Sequence, residues 1–248
     1  MRTLLVHGFT QNAGCFGAFA ERLQDPAGRA NEIYTVDLPG HGHSSDISAG
    51  PWAAAEMLGL SFGKGTYIGY SLGARICLHL ALSNPDIVER LVLISANGGI
   101  EDGVARNRRR VSDEAMAREL EEGKDLEAFL HDWTEQPLFA TMPQHARMID
   151  RRMQNTPVGL ASSLRMCGAA ACDPLWDRLH ELAMPVLIVA GMLDSRYAYA
   201  ADRMARLIGD NARVSLIPGA GHACHLERPG TVALIITSFL RAIKVDGD

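Results

Sequence analysis

Between Gly69 and Arg75 the chain reads GYSLGAR, a serine with a glycine two residues to either side and an arginine four residues on. Where such a G-x-S-x-G ends a strand and opens a helix, the serine sits on a sharp turn with its hydroxyl exposed at the sheet edge. The residues flanking that turn must be small, and Gly69 and Gly73 meet the demand. Alone the pentapeptide is weak, because a glycine-rich turn with a solvated serine has the same letters. A serine hydroxyl becomes reactive when a base takes its proton and an acid orients that base. The stretch GMLDSRY places Asp194 just after the apolar run PVLIVAG, and GAGHACHLERP places His222 in a glycine-rich loop just after RVSLIP. His225 competes as the base, but His222 directly follows the flexible glycines. Asp202 and Asp210 are weaker acids, since they fall within or after the next helix.

Other stretches extend the constellation. HGF, from His7 to Phe9, ends an apolar run, and the N–H of Phe9 is expected to face the N–H of Leu72. Two backbone donors aimed at one point stabilise a developing oxygen anion. The loop DLPGHGHS, from Asp37 to Ser44, carries histidines that read as turn residues rather than catalysts. HACH, from His222 to His225, has metal-binding letters, but no second cluster has zinc-site spacing, so no metal is expected.

Arg75 follows Ser71 by one helical turn, and helical side chains tilt toward the N-terminus, so its guanidinium can reach back toward the serine. A substrate carrying carboxylates would need that charge, whereas an ordinary ester would not. The competing reading pairs Arg75 with a neighbouring carboxylate. More arginines occur in ARNRRRVSDEAMA and RMIDRRMQN, and FLHDWTEQPLFA adds an aromatic in an apolar setting. On a helix Arg106, Arg109 and Arg110 share a face while Arg108 points elsewhere. Cations above a reactive serine imply a small polyanionic metabolite.

These residues need a scaffold that brings strand ends together. Six β-rich apolar runs occur at Thr3–His7, Glu32–Asp37, Gly65–Ser71, Arg90–Ala96, Pro185–Gly191 and Arg213–Pro218. Each reads as a parallel strand buried on both faces. Helical stretches near 16–25, 51–61, 72–83, 197–208 and 230–244 alternate with them. The expected fold is α/β, a mostly parallel sheet flanked by helices with right-handed crossovers. The rhythm stops at Ala96 and resumes after Leu182, which predicts a core of 1–96 and 183–248 with a helical cap, 97–182, inserted. Ser112 followed by Asp113 and Glu114 predicts a helix start inside that cap.

Composition narrows the function classes. The net charge of −5 leaves no nucleic-acid footprint, and no apolar run reaches the ~20 residues of a membrane span. Five scattered cysteines argue against a disulfide framework and for a reducing compartment. With the N-terminus running straight into a strand, a cytoplasmic protein is expected, as a monomer or weak homo-oligomer. Arginine greatly outnumbers lysine, and its planar fork is the better carboxylate binder.

Taken together, these motifs resemble the α/β-hydrolase superfamily over essentially the whole chain. Within it the sequence resembles the menaquinone-pathway 2-succinyl-6-hydroxy-2,4-cyclohexadiene-1-carboxylate synthases, through VHGFTQ, DLPGHGHS, GYSLGAR, RNRRRVSDEAMA, FLHDWTEQPLFA, RRMQN, GMLDSRY and GAGHACHLERP. The resemblance implies a carbon–oxygen lyase that eliminates pyruvate from a polycarboxylate intermediate with no metal or organic cofactor. It implies a triad of Ser71, His222 and Asp194 acting in proton abstraction, with an oxyanion hole from Phe9 and Leu72. Tyr70 and Trp133 would shape the pocket, and Arg75, Arg109 and Arg152 would bind carboxylates. The chain departs from that family in starting almost at the strand leading to HGF, two strands short of the usual sheet. Ala74 stands where the family often has glycine, and Asn97-Gly98-Gly99 where it often has proline, which is expected to loosen the cap entrance.

The same triad serves a serine hydrolase of esters, thioesters or C–C bonds in a small acidic substrate. A ligand-binding receptor on the same scaffold is a third reading, and no visible partner-binding segment favours it.

Overall fold

The computed structural model describes residues 1–24 and 32–242. Six strands, β1 (Arg2–Val6), β2 (Glu32–Val36), β3 (Gly65–Tyr70), β4 (Val88–Ile94), β5 (Val186–Gly191) and β6 (Ala212–Ile217), form one sheet. Their order is β2-β1-β3-β4-β5-β6, and every pairing is parallel. All six expected runs are strands, within two residues at either end.

The helices are α1 (Gly17–Leu23), α2 (Pro51–Phe62), α3 (Leu72–Ser83), α4 (Gly103–Glu121), α5 (Leu126–Thr134), α6 (Ile149–Arg152), α7 (Pro157–Cys167), α8 (Ser195–Ile208), α9 (Cys224–Glu227) and α10 (Pro229–Ala242). Residues 243 and 244, expected to end the last helix, lie outside the described residues. Strand side chains alternate between two cores, as a period of two requires. Leu4, Val6, Tyr67, Leu91, Leu93 and Ile188 face α2, α3 and α8, whereas Leu5, Ile68, Val92, Ile94 and Val189 face α1 and α10. Burial on both faces holds for β3 and β5 throughout, but not for the edges β2 and β6, where Tyr34 and Leu216 are exposed. An edge strand has one neighbour and less helix cover, so it keeps solvent-facing positions.

Among the described residues no strand lies between Ile94 and Val186. That stretch has its own apolar cluster, formed by Ala117, Leu120, Phe129, Leu130, Leu160, Ala161 and Leu164 from α4, α5 and α7. Phe9 packs against all three clusters, at the point where they meet. Leu175, Trp176, Leu179 and Leu182 pack with the sheet rather than with this third cluster.

Two expectations are corrected here. Ser112 does not start a helix; α4 begins at Gly103, where Asp102 accepts the Ala105 N–H at 2.7 Å. The arginine-rich run ahead of Ser112 is itself helix-competent, so the upstream cap wins. Nor is the Asn97-Gly98-Gly99 segment loose. Trp176 Nε1 donates to the Gly99 carbonyl at 3.0 Å, the Leu175 N–H to that of Gly98 at 2.7 Å, and a Cβ on Gly98 would fall 2.5 Å from the Trp176 ring. Glycine there permits close packing. No helix among the described residues is long and apolar enough to cross a membrane.

Candidate active site

Ser71 joins β3 to α3 with φ 50° and ψ −106°, a left-handed-side conformation that a residue with a Cβ rarely adopts. Such strain costs about 1–3 kcal/mol and persists only where the surroundings impose it. Here the Ser71 N–H donates to the Ile94 carbonyl at 2.9 Å. The flanking glycines are compulsory: a Cβ on Gly69 would lie 2.5 Å from Ala74 Cα, and one on Gly73 would collide with the Val6 carbonyl oxygen.

The hydroxyl of Ser71 lies 3.1 Å from His222 Nε2, and His222 Nδ1 lies 2.9 Å from Asp194 Oδ2. Asp194 also caps α8, its Oδ1 accepting the Tyr197 N–H at 3.2 Å, so the helix start fixes the carboxylate that meets the histidine. A proton on Nδ1 donated to Asp194 leaves Nε2 with a lone pair toward the serine. The imidazole is buried against Tyr197, Tyr70 and Phe139, at 4.4, 5.6 and 5.8 Å between ring centroids.

The competing candidates do not meet it. His225 is fully buried among Phe16, Phe19 and Tyr70, neither ring nitrogen has a partner among the described residues, and burial pushes its pKa down to about 3. Asp202 pairs with Arg206 at 3.1 Å on the outer face of α8, and Asp210 is exposed beyond that helix. In the DLPGHGHS loop, Asp37 accepts the N–H groups of Ala13 and His43 at 2.7 and 2.9 Å. His41 is buried with its Nδ1 3.1 Å from the Pro39 carbonyl, and desolvation pushes its pKa down to about 3. These are turn-holding contacts.

Above the serine lies a cavity of about 310 Å³. Phe9, Tyr70, Leu72, Arg75, Arg109 and Trp133 line it beside Ser71 and His222. The backbone N–H groups of Phe9 and Leu72 have no acceptor among the described residues. Trp133 packs edge-on against Phe9 at 4.9 Å, and its Nε1 is buried without a partner. Arg75 donates Nη2 to the Cys167 carbonyl at 3.1 Å; among the described residues its Nε has no partner and no carboxylate lies within ion-pair distance. The reading that paired it with a neighbouring acid is thus not realised. Arg109 bonds through Nε to Asp113 at 2.7 Å, leaving the outer edge of its fork free. Burial raises the Asp113 carboxyl above its usual range, and the charges of Arg109 and Arg75 offset part of that.

Not every predicted arginine arrives. Of the shared face, Arg106 is held by Asp173 at 2.6 Å and Arg110 is exposed away from the cavity; only Arg109 lines it. Arg152 does not line it either. It is buried behind the wall, donating Nη1 to Thr10 Oγ1 and Nε to the Arg147 carbonyl at 2.6 Å. Asn155 locks that corner by donating to the Thr10 carbonyl at 2.7 Å. Short polar partners on the loop after β1 hold the guanidinium beneath the wall, and burial lowers its pKa. Met116, Gln136 and Tyr197 also line the cavity and carried no sequence signal of their own, except that Tyr197 lies in the first turn after Asp194.

A strained serine at a strand-to-helix turn, within hydrogen-bond distance of a histidine from the last strand's loop that in turn meets an aspartate from the loop before it, is the arrangement of α/β-hydrolase-fold enzymes. The alpha/beta hydrolase family profile matches residues 3–233. The 2-succinyl-6-hydroxy-2,4-cyclohexadiene-1-carboxylate synthase of Salmonella agona (strain SL483) is 30% identical over 246 residues, covering 96% of this chain and 93% of that protein. The chain belongs to the alpha/beta hydrolase family and, within it, to the family of these synthases. Among solved structures, MenH from S. aureus superposes with a TM-score of 0.88 at 30% identity, covering 98% of this chain and 94% of that one. A thermophilic esterase from Thermogutta terrifontis, solved with malate bound, superposes with a TM-score of 0.75 at 26% identity, covering 98% and 90%.

Proposed function

We propose that this protein is a lyase that eliminates pyruvate from a polycarboxylate menaquinone-pathway intermediate to give 2-succinyl-6-hydroxy-2,4-cyclohexadiene-1-carboxylate. The single observation that carries the reading is two cavity arginines, Arg75 and Arg109, without full carboxylate pairing above a complete Ser-His-Asp array. It is supported by the names of the family members that match along nearly the whole chain.

In this reading His222 Nε2 takes the Ser71 hydroxyl proton as Ser71 Oγ removes the proton α to the activated carbonyl. Asp194 stabilises the imidazolium through Nδ1. Negative charge moves to the carbonyl oxygen, held by the N–H groups of Phe9 and Leu72. Collapse of that enolate breaks the carbon–oxygen bond to the leaving group, which departs as pyruvate once it is reprotonated. Arg75 and Arg109 hold the carboxylates, and Tyr70 and Trp133 shape the walls. Arg152 contributes by adding buried positive charge near Tyr70, with no anionic partner of its own among the described residues. The helical stretch from 97 onward acts as a cap, and five buried thiols support a reducing compartment such as the cytoplasm.

A hydrolase of small acidic esters is the second reading, favoured by the likeness to the malate-bound esterase. Offering the purified protein the pyruvate-bearing intermediate separates the two. Pyruvate release that disappears in Ser71→Ala is the expected result; ester cleavage without pyruvate release would leave the hydrolase.

A further inference from the structure

The loop that carries His222 is held by groups the chemistry above does not use. Glu227, the last residue of α9, folds its carboxylate back under the loop. Its Oε2 accepts the Gly221 N–H at 2.8 Å and its Oε1 the Ala223 N–H at 3.1 Å. From the end of β4, Ser95 donates its hydroxyl to the His222 carbonyl at 2.7 Å, on a backbone held at φ 50°. The peptide groups before and after the imidazole are thus pinned from two elements. Close packing removes the remaining slack: a Cβ on Gly221 would collide with Thr141 Oγ1, and one on Gly191 with the Gly221 carbonyl oxygen.

For a carboxylate this is an unfavourable place. Glu227 is 7% exposed and has no cation within ion-pair distance among the described residues. Burying an unpaired charge is costly unless strong hydrogen bonds replace its water, and here the two loop N–H groups do so. Arg228, next in the chain, donates its Nη1 to the Glu227 carbonyl at 3.1 Å rather than to the carboxylate. An apolar side chain would fill the same volume at less cost, but it would leave two buried N–H groups beside His222 without acceptors.

We propose that Glu227 is a positioning residue whose carboxylate holds the His222 loop in register with Ser71 and Asp194. The inference rests on the reading of His222 as the base. Catalytic geometry must be held to about half an ångström, and two charge-assisted bonds to the residues on either side of His222 supply that constraint.

Glu227→Gln keeps the size but presents one of the two N–H groups with an NH₂ donor. Its kcat should fall by about 10–100-fold with KM within about twofold, because geometry rather than substrate binding is lost. Labelling of Ser71 by a fluorophosphonate should slow in parallel, and the far-downfield proton resonance of His222 Nδ1–H should broaden away in a protein that still melts cooperatively. Glu227→Asp, charged but one methylene short, should show a smaller loss of the same kind, and it carries the test if the Gln variant does not fold. Wild-type labelling and resonance in either folded variant would overturn the proposal, as would a rise in KM with kcat intact. Labelling reads the clamp whether or not pyruvate is released. Labelling that survives His222→Ala would instead overturn the base assignment on which the proposal rests.

Discussion

His222 and His225 are three residues apart and differ in everything that matters to a base. His222 has Asp194 on one nitrogen and Ser71 on the other, at 2.9 and 3.1 Å. His225 sits in an aromatic cage with both nitrogens unpartnered. His222→Ala should abolish turnover, whereas His225→Phe should keep activity within about threefold and not destabilise the fold, since it removes two unsatisfied polar atoms. Parallel turnover and melting measurements on both variants check this, and loss of activity in His225→Phe would show that the cage does more than pack. The distinction was half legible in the sequence, because glycines ahead of His222 mark a loop at a strand end. The destination of a long side chain was not. Arg152 lies shortly after the αL residue Met148 and its turn, and nothing local says that Thr10, 142 positions away, will take its guanidinium.

At the level of elements, the turn between β3 and α3 is where local sequence and global fold agree most closely. Gly73 is compulsory because α3 packs directly over the end of β1, leaving no room for a Cβ beside the Val6 carbonyl. Gly73→Ala should therefore destabilise by more than about 3 kcal/mol or prevent soluble expression, measured by urea unfolding, because backbone cannot retreat as a side chain can. A mild effect would mean that the turn can open without cost. Strand positions were readable from apolar runs bounded by glycine and aspartate. The start of α4 was not, since Ser112 and Asp102 both have cap chemistry, and the helix-competent run between them lets the upstream cap at Asp102 win. The Asn97-Gly98-Gly99 segment misled for a related reason: glycine marks either freedom or close approach, and the Trp176 ring decides for the latter.

Across the whole molecule, four buried histidines make the fold sensitive to acid. Burial lowers His7 to about 4 and His41 and His225 to about 3, all from 6.5 in an exposed chain, and lowers His79 as well. Between those values the unfolded chain binds protons that the folded chain refuses, so stability is full above pH 6.5 and is lost as pH falls toward 4. Unfolding should take up about three protons in this window through His7, His41 and His225 alone, a slope of about 4 kcal/mol per pH unit, and His79 adds to it. Asp113, raised by burial, opposes the trend. Urea unfolding between about pH 7 and 5 measures the slope, and His225→Phe should reduce it by one proton. A flat profile would show that the unfolded state also shields these rings.

Arg75→Ala probes the cationic pocket above Ser71, His222 and Asp194. The measurement is kcat/KM for pyruvate release from the polycarboxylate intermediate, alongside hydrolysis of a neutral nitrophenyl ester by the same preparation. Loss of a charge-assisted contact in a partly buried site predicts a fall of about 100-fold in the first and a change within about threefold in the second. Equal losses in both reactions, or pyruvate release that survives the substitution, would show that Arg75 does not hold the substrate's carboxylates.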